Sequence, residues 1–150
     1  MKSTTVHEHF SVGKHNIGYV SDFFLESFSN SKVTTGKNLG FRTLERSMYD
    51  KDVKKELSPK QATLGDVLYL LDHSFPEDRD GFWNLFYVSG LVVGVHWSAG
   101  RGEWRVRAWR LDGNFWHAGG RVFSRNFELK PSDLKLPNEL IINGVKYRKV

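Results

Sequence analysis

The chain has no cysteine. That excludes a disulfide framework, a thiol nucleophile and a cysteine-built zinc site, and it fits a reducing compartment. Long apolar runs are missing too. The longest purely aliphatic stretch, residues 91–95, includes a glycine and is far too short to span a bilayer. Residues 1–10 contain no apolar segment of the kind that a secretory leader needs. The expectation is a soluble, cytoplasmic chain with no membrane partner.

The usual catalytic and cofactor signatures are absent as well. Thr35-Gly36-Lys37-Asn38 holds a Gly-Lys pair but lacks the earlier glycine and the following Ser/Thr of a phosphate loop. Gly100-Arg101-Gly102 has no helix after it. No Gly-x-Ser-x-Gly elbow and no His-Glu-x-x-His occurs. No cofactor is expected. His7, His9 and His15 near the N-terminus are read as exposed imidazoles, not as a metal site.

What the chain has is aromatic mass and unevenly placed charge. Phe, Trp and Tyr make up 14% of its 150 residues, enough large apolar area for a core without staples. The net charge is +5. Residues 61–99 carry one arginine against five acids, whereas residues 100–150 carry eleven basic side chains against five acids. Such asymmetry points to an anionic partner more than the total does.

Pattern reading divides the chain into a mainly helical part, 1–81, and a mainly β part, 82–150, within one expected domain. Helices are predicted over 22–28, capped by Ser21, and over 39–57, where Phe41, Leu44, Met48, Tyr49, Val53 and Leu57 form a stripe. Another is predicted from Ser58-Pro59, with Thr63 and Asp66 as a second capping box just downstream. Leu64, Val67, Leu68 and Leu71 give it an apolar face.

From Phe82 the chain reads as strands. Residues 83–88 and 91–97 flank Ser89-Gly90, a two-residue hairpin turn. This pairing puts Asn84, Phe86 and Val88 on one face and Trp83, Leu85 and Tyr87 on the other. Strands over 104–111, 115–117 and 121–124 continue a meander. Asn143-Gly144 then demands a type I′ turn that pairs Ile142 with Val145. The fold expected is α+β, with N-terminal helices on one face of a C-terminal antiparallel meander closed by the terminal hairpin.

The strongest chemical cluster runs from Arg101 to Arg125. It holds Arg101, Arg105, Arg107, Arg110, Arg121 and Arg125 with no lysine, and Glu103 and Asp112 are its only acids. Trp104, Trp109, Phe115, Trp116 and Phe123 are interleaved. Arginine forks bind phosphate bidentately, and aromatic faces stack on bases. Strand alternation sets Arg105, Arg107 and Trp109 on one face and Trp104, Val106 and Ala108 on the other.

The function read from this is a nucleic-acid-binding module that presents an Arg/aromatic sheet face to single-stranded nucleic acid. Its candidate residues are Arg101, Arg105, Arg107, Trp109, Arg110, Arg121 and Arg125. Three readings compete with it. In one, the arginines cover an ordinary solvated face and pair with the acidic segment 66–80. In another, the Trp and Arg residues are the hot spot of a non-catalytic protein-interaction module. In the last, His96 or His117 is the general base of an enzyme.

Overall fold

The computed structural model describes residues 4–74, 79–111, 113–127, 139–142 and 145–148. The first half contains β1 (Thr4–Thr5), α1 (Val6–His9), β2 (Ile17–Val20), α2 (Asp22–Ser27), β3 (Lys32–Val33), β4 (Gly40–Thr43), β5 (Met48–Tyr49), α3 (Asp50–Leu57) and α4 (Leu64–His73). The second half contains β6 (Asn84–Val88), β7 (Leu91–Ser98), β8 (Glu103–Arg110), β9 (Phe115–Trp116), β10 (Arg121–Ser124), β11 (Glu139–Ile142) and β12 (Val145–Arg148). The described residues are thus mixed α+β, and none of their helices is long and apolar enough to cross a membrane.

The hairpin β6–β7 forms in the register its pattern predicts. Ser89 and Gly90 both take positive φ, 50° and 79°, the requirement of a primed two-residue turn. Val88 pairs with Leu91, Phe86 with Val93 and Asn84 with Val95. β8 then pairs antiparallel along the whole of β7.

Beyond these three strands the architecture departs from a meander. The six-stranded sheet has the order β2-β8-β7-β6-β10-β4. β2 runs parallel to β8, and β10 runs parallel to β6. β9 leaves the sheet to pair with β5. The terminal hairpin does not close the sheet either. β11 and β12 form a separate two-stranded sheet, with Ile142 opposite Val145 and Glu139 opposite Arg148 as expected. The turn residues 143–144 lie outside the described residues.

All the helices of the described residues lie before residue 82, but the same segment also supplies β2 and β4, the two edges of the six-stranded sheet. The predicted helix over 39–57 forms only in its second half. Gly40–Thr43 pairs antiparallel with β10, and Phe41 packs its ring 5.2 Å from that of Phe123. Tertiary pairing outweighs a stripe of four-residue intervals when the first turn holds a glycine and lacks a cap. Ser58 does not start a helix. It ends α3 in the left-handed region, φ 47° and ψ 54°, its N–H donating to Lys54 O at 3.1 Å. The downstream box is the one used: Thr63 Oγ1 accepts from Asp66 N–H at 3.2 Å, and Asp66 Oδ2 accepts from Thr63 N–H at 2.9 Å.

Two apolar clusters lie on the two faces of the sheet. One joins Phe86, Val93, Val95, Trp104 and Val106 to Val6 of α1, Phe24 of α2 and Val67 and Leu71 of α4. The other joins Leu85, Val92 and Val122 to Val53 of α3, Met48 of β5 and Trp116 of β9. Helices therefore pack on both faces, not on one.

Candidate nucleic-acid interface

Alternation along β8 sorts its side chains as the sequence pattern requires. Trp104, Val106 and Ala108 are buried in the first cluster, while Arg105, Arg107 and Trp109 remain half-buried on the opposite face. Two neighbouring strands complete this face. Tyr19 of β2 stands in register with Arg105, and His96 of β7 pairs with Arg105 from the other side. One row across three strands therefore reads Tyr19, Arg105, His96.

Both guanidinium groups lie over the tyrosine. Arg105 Cζ is 4.4 Å and Arg107 Cζ 4.8 Å from the centroid of the Tyr19 ring, within cation–π range. Arg105 also donates to Glu103 Oε2 at 3.3 Å. Among the described residues, no carboxylate forms an ion pair with Arg107, Arg101 or Arg110.

Next to the arginines lies a group of edge-to-face aromatic rings. Trp83, just before β6, packs 4.2 Å from the ring of His96 and 5.0 Å from that of Trp109, and Trp109 is 5.0 Å from Trp116. Gly94 makes room for them. A Cβ there would stand 2.6 Å from Trp109 and 3.0 Å from Trp83. Burial, and then the charges of Arg105 and Arg107, hold the His96 imidazolium below its ordinary pKa of 6.5, so the neutral ring is favoured.

The seven candidate residues do not form one surface. Arg105, Arg107 and Trp109 share one half-buried face, and exposed Arg101 sits in the turn leading into β8. Arg110 alternates to the other side, its guanidinium 5.7 Å from the Phe23 ring centroid. Arg121 is buried, paired with Asp80, and donates to Asn84 Oδ1 at 3.0 Å. Arg125 grips the carboxylate of Asp66, with Nη2 2.9 Å from Oδ2 and 3.1 Å from Oδ1. The last two thus pair with the acidic segment 66–80, as the solvated-face reading expects for them.

The place of Tyr19 beside Arg105 has no local signal in the sequence, because it comes from a parallel pairing between residues 17–20 and 103–110. Trp83 and His96 were legible as one face of the β6–β7 hairpin. Joining that face to Arg105 needed the register of β8.

The other candidate groups take different places. His117 is exposed, its ring 5.5 Å from Phe115. His15 Nδ1 lies 2.5 Å from Asp72 Oδ1, and His15 Nε2 lies 3.0 Å from His9 Nδ1. Among the described residues, no cluster of three or more His or acidic side chains could hold a metal.

A cavity of about 490 Å³ opens beside the N-terminus of α3. Its wall includes Asp50, a buried carboxylate. Asp50 Oδ1 accepts from Trp116 Nε1 at 2.6 Å and from Tyr87 OH at 3.3 Å, and Oδ2 accepts from Asn114 Nδ2 at 2.6 Å. Burial, and then the Asp50 charge and hydrogen bond, push the Tyr87 hydroxyl well above its ordinary pKa of 10.0, so it remains a donor.

No family model matches the chain, and neither does any curated protein or solved structure.

Proposed function

We propose that the face formed by Tyr19, Arg105, Arg107, Trp83 and Trp109 binds single-stranded nucleic acid. Arg107 carries the reading. It is a guanidinium without an ion-pair partner among the described residues, held over one aromatic ring and beside two indoles. Phosphates would take the forks of Arg107 and Arg105, and bases would stack on the exposed parts of the rings. Arg101 borders the face from its turn and adds charge that steers the strand. Neighbouring strands lie about 4.8 Å apart, so β2, β8 and β7 offer a width of about 10 Å, suited to a short run of nucleotides. The test is fluorescence anisotropy of a labelled oligouridine at low salt. Saturable binding with quenching of tryptophan emission is expected. No change in anisotropy at low salt would overturn the proposal.

A protein partner is the second reading. The exposed Tyr49 and Phe115 rings, 4.8 Å apart, form an apolar pair of the kind found at contact surfaces. A pull-down with and without nuclease separates the two. Partners lost on nuclease treatment favour nucleic acid, and partners retained favour protein.

A further inference from the structure

We propose that the cavity beside Asp50 binds a free nucleoside monophosphate whose base carries an amino group. This site is separate from the Arg105/Arg107 face and does not rest on that reading.

The cavity is of ligand size, about 490 Å³, within the range of small-molecule sites. Its lining mixes charged, polar and apolar groups. At the wall stands Asp50, 5% exposed, its charge met by three uncharged donors: Trp116, Tyr87 and Asn114. Among the described residues no lysine or arginine forms an ion pair with it. A carboxylate has about four acceptor positions, so Oδ2, which among the described residues takes only Asn114, has room for one further N–H. A buried carboxylate is costly to leave short of donors, and an incoming amino group supplies one.

Lys51 and Lys54, one helical turn apart on α3 and exposed, line the same cavity. Neither forms an ion pair with a described acid. They offer a seat for a phosphate. Apolar groups line the cavity too: Tyr49 and Leu111, 48% and 41% exposed. Large apolar side chains this open beside a cavity suit the faces of a planar ring. One acceptor, two open apolar side chains and two cations call for a ligand with a donor, a ring and an anion.

Trp116 reports the test directly, because its indole N–H donates to Asp50. The full chain is titrated with adenosine monophosphate while the Trp116 indole resonance is followed by NMR. Saturable movement of that resonance is expected. Purine riboside monophosphate, which lacks only the exocyclic amine, should bind at least about tenfold more weakly, since it cannot reach the fourth position on the carboxylate. Lys51→Ala with Lys54→Ala should weaken binding by about tenfold as well. Both lysines are exposed, so this variant tests the site without disturbing the core.

The proposal is overturned by any of four results. The resonance does not move with adenosine, cytidine or guanosine monophosphate. The amine-free analogue binds as tightly as its parent. Inorganic phosphate alone moves the resonance as far. Or the paired lysine substitution has no effect.

Discussion

At position 94 a missing side chain decides where two indoles lie. Trp109 and Trp83 pass directly over that backbone, and a methyl group would meet the Trp109 ring at 2.6 Å. Neither ring can simply swing away, because Trp109 is also held against Trp116 and Trp83 against His96. Gly94→Ala should therefore cost about 1 to 3 kcal/mol, the usual penalty of overpacking. It should also shift the tryptophan emission. A denaturant midpoint and spectrum equal to the parent's would show that the rings are not seated there. His96, beside the same rings, links the face to pH. Its folded pKa lies below the ordinary 6.5, so the unfolded chain takes up the proton first. Its contribution to stability is present above about pH 6.5 and is lost as pH falls through the folded value. His96→Gln should flatten the fall in urea midpoint between about pH 7.5 and pH 5. A fall as steep as the parent's would remove His96 from the explanation.

Among the elements, those defined by local chemistry were legible in the sequence, and those defined by distant pairing were not. Ser21 caps α2 as expected, accepting from Phe24 N–H at 3.2 Å, and Thr63 with Asp66 caps α4. The registers of β6–β7 and β11–β12 follow from alternation and turn chemistry alone. Gly40–Thr43 is a strand because β10 lies beside it, and that pairing has no local pattern. The parallel pairs β2–β8 and β10–β6 likewise leave no pattern within a local window. The candidate interface was legible in part for the same reason: Arg105, Arg107 and Trp109 alternate on one strand, whereas Tyr19 arrives from another.

The ion pair of Arg125 shows what a distant contact does for an element. The Asp66 side chain is fully buried and accepts from Thr63 N–H, from Lys37 N–H at 3.1 Å and from the Arg125 fork. It thereby ties the start of α4 to the loop at 37 and to the end of β10. Arg125→Ala leaves that carboxylate short of two donors and should cost about 1 to 3 kcal/mol. Arg125→Lys should recover only part of this, because an ammonium cannot span both oxygens. An unfolding midpoint unchanged in Arg125→Ala would contradict the role.

Across the whole molecule, the positive charge is divided between structure and surface. The net charge of +5 understates the division. Arg121 and Arg125 are committed to Asp80 and Asp66, so they hold the sheet to its surroundings and are not free to bind. Arg107 and Arg101 remain without ion pairs among the described residues, and Arg105 shares Glu103 with solvent. Sequence composition counts all six arginines of the cluster alike. Only the sheet order tells which of them face the same way.

The central claim is that Arg105 and Arg107 neutralise phosphates, and the salt dependence of binding measures this directly. The affinity for oligouridine is determined at several salt concentrations for the parent and for Arg105→Ala with Arg107→Ala, each shown to melt cooperatively. Each single-strand phosphate contact contributes about 0.7 to the slope of log affinity against log salt. The account predicts a parent slope that falls by about 1.4 in the double variant. Equal slopes in the two proteins would contradict it.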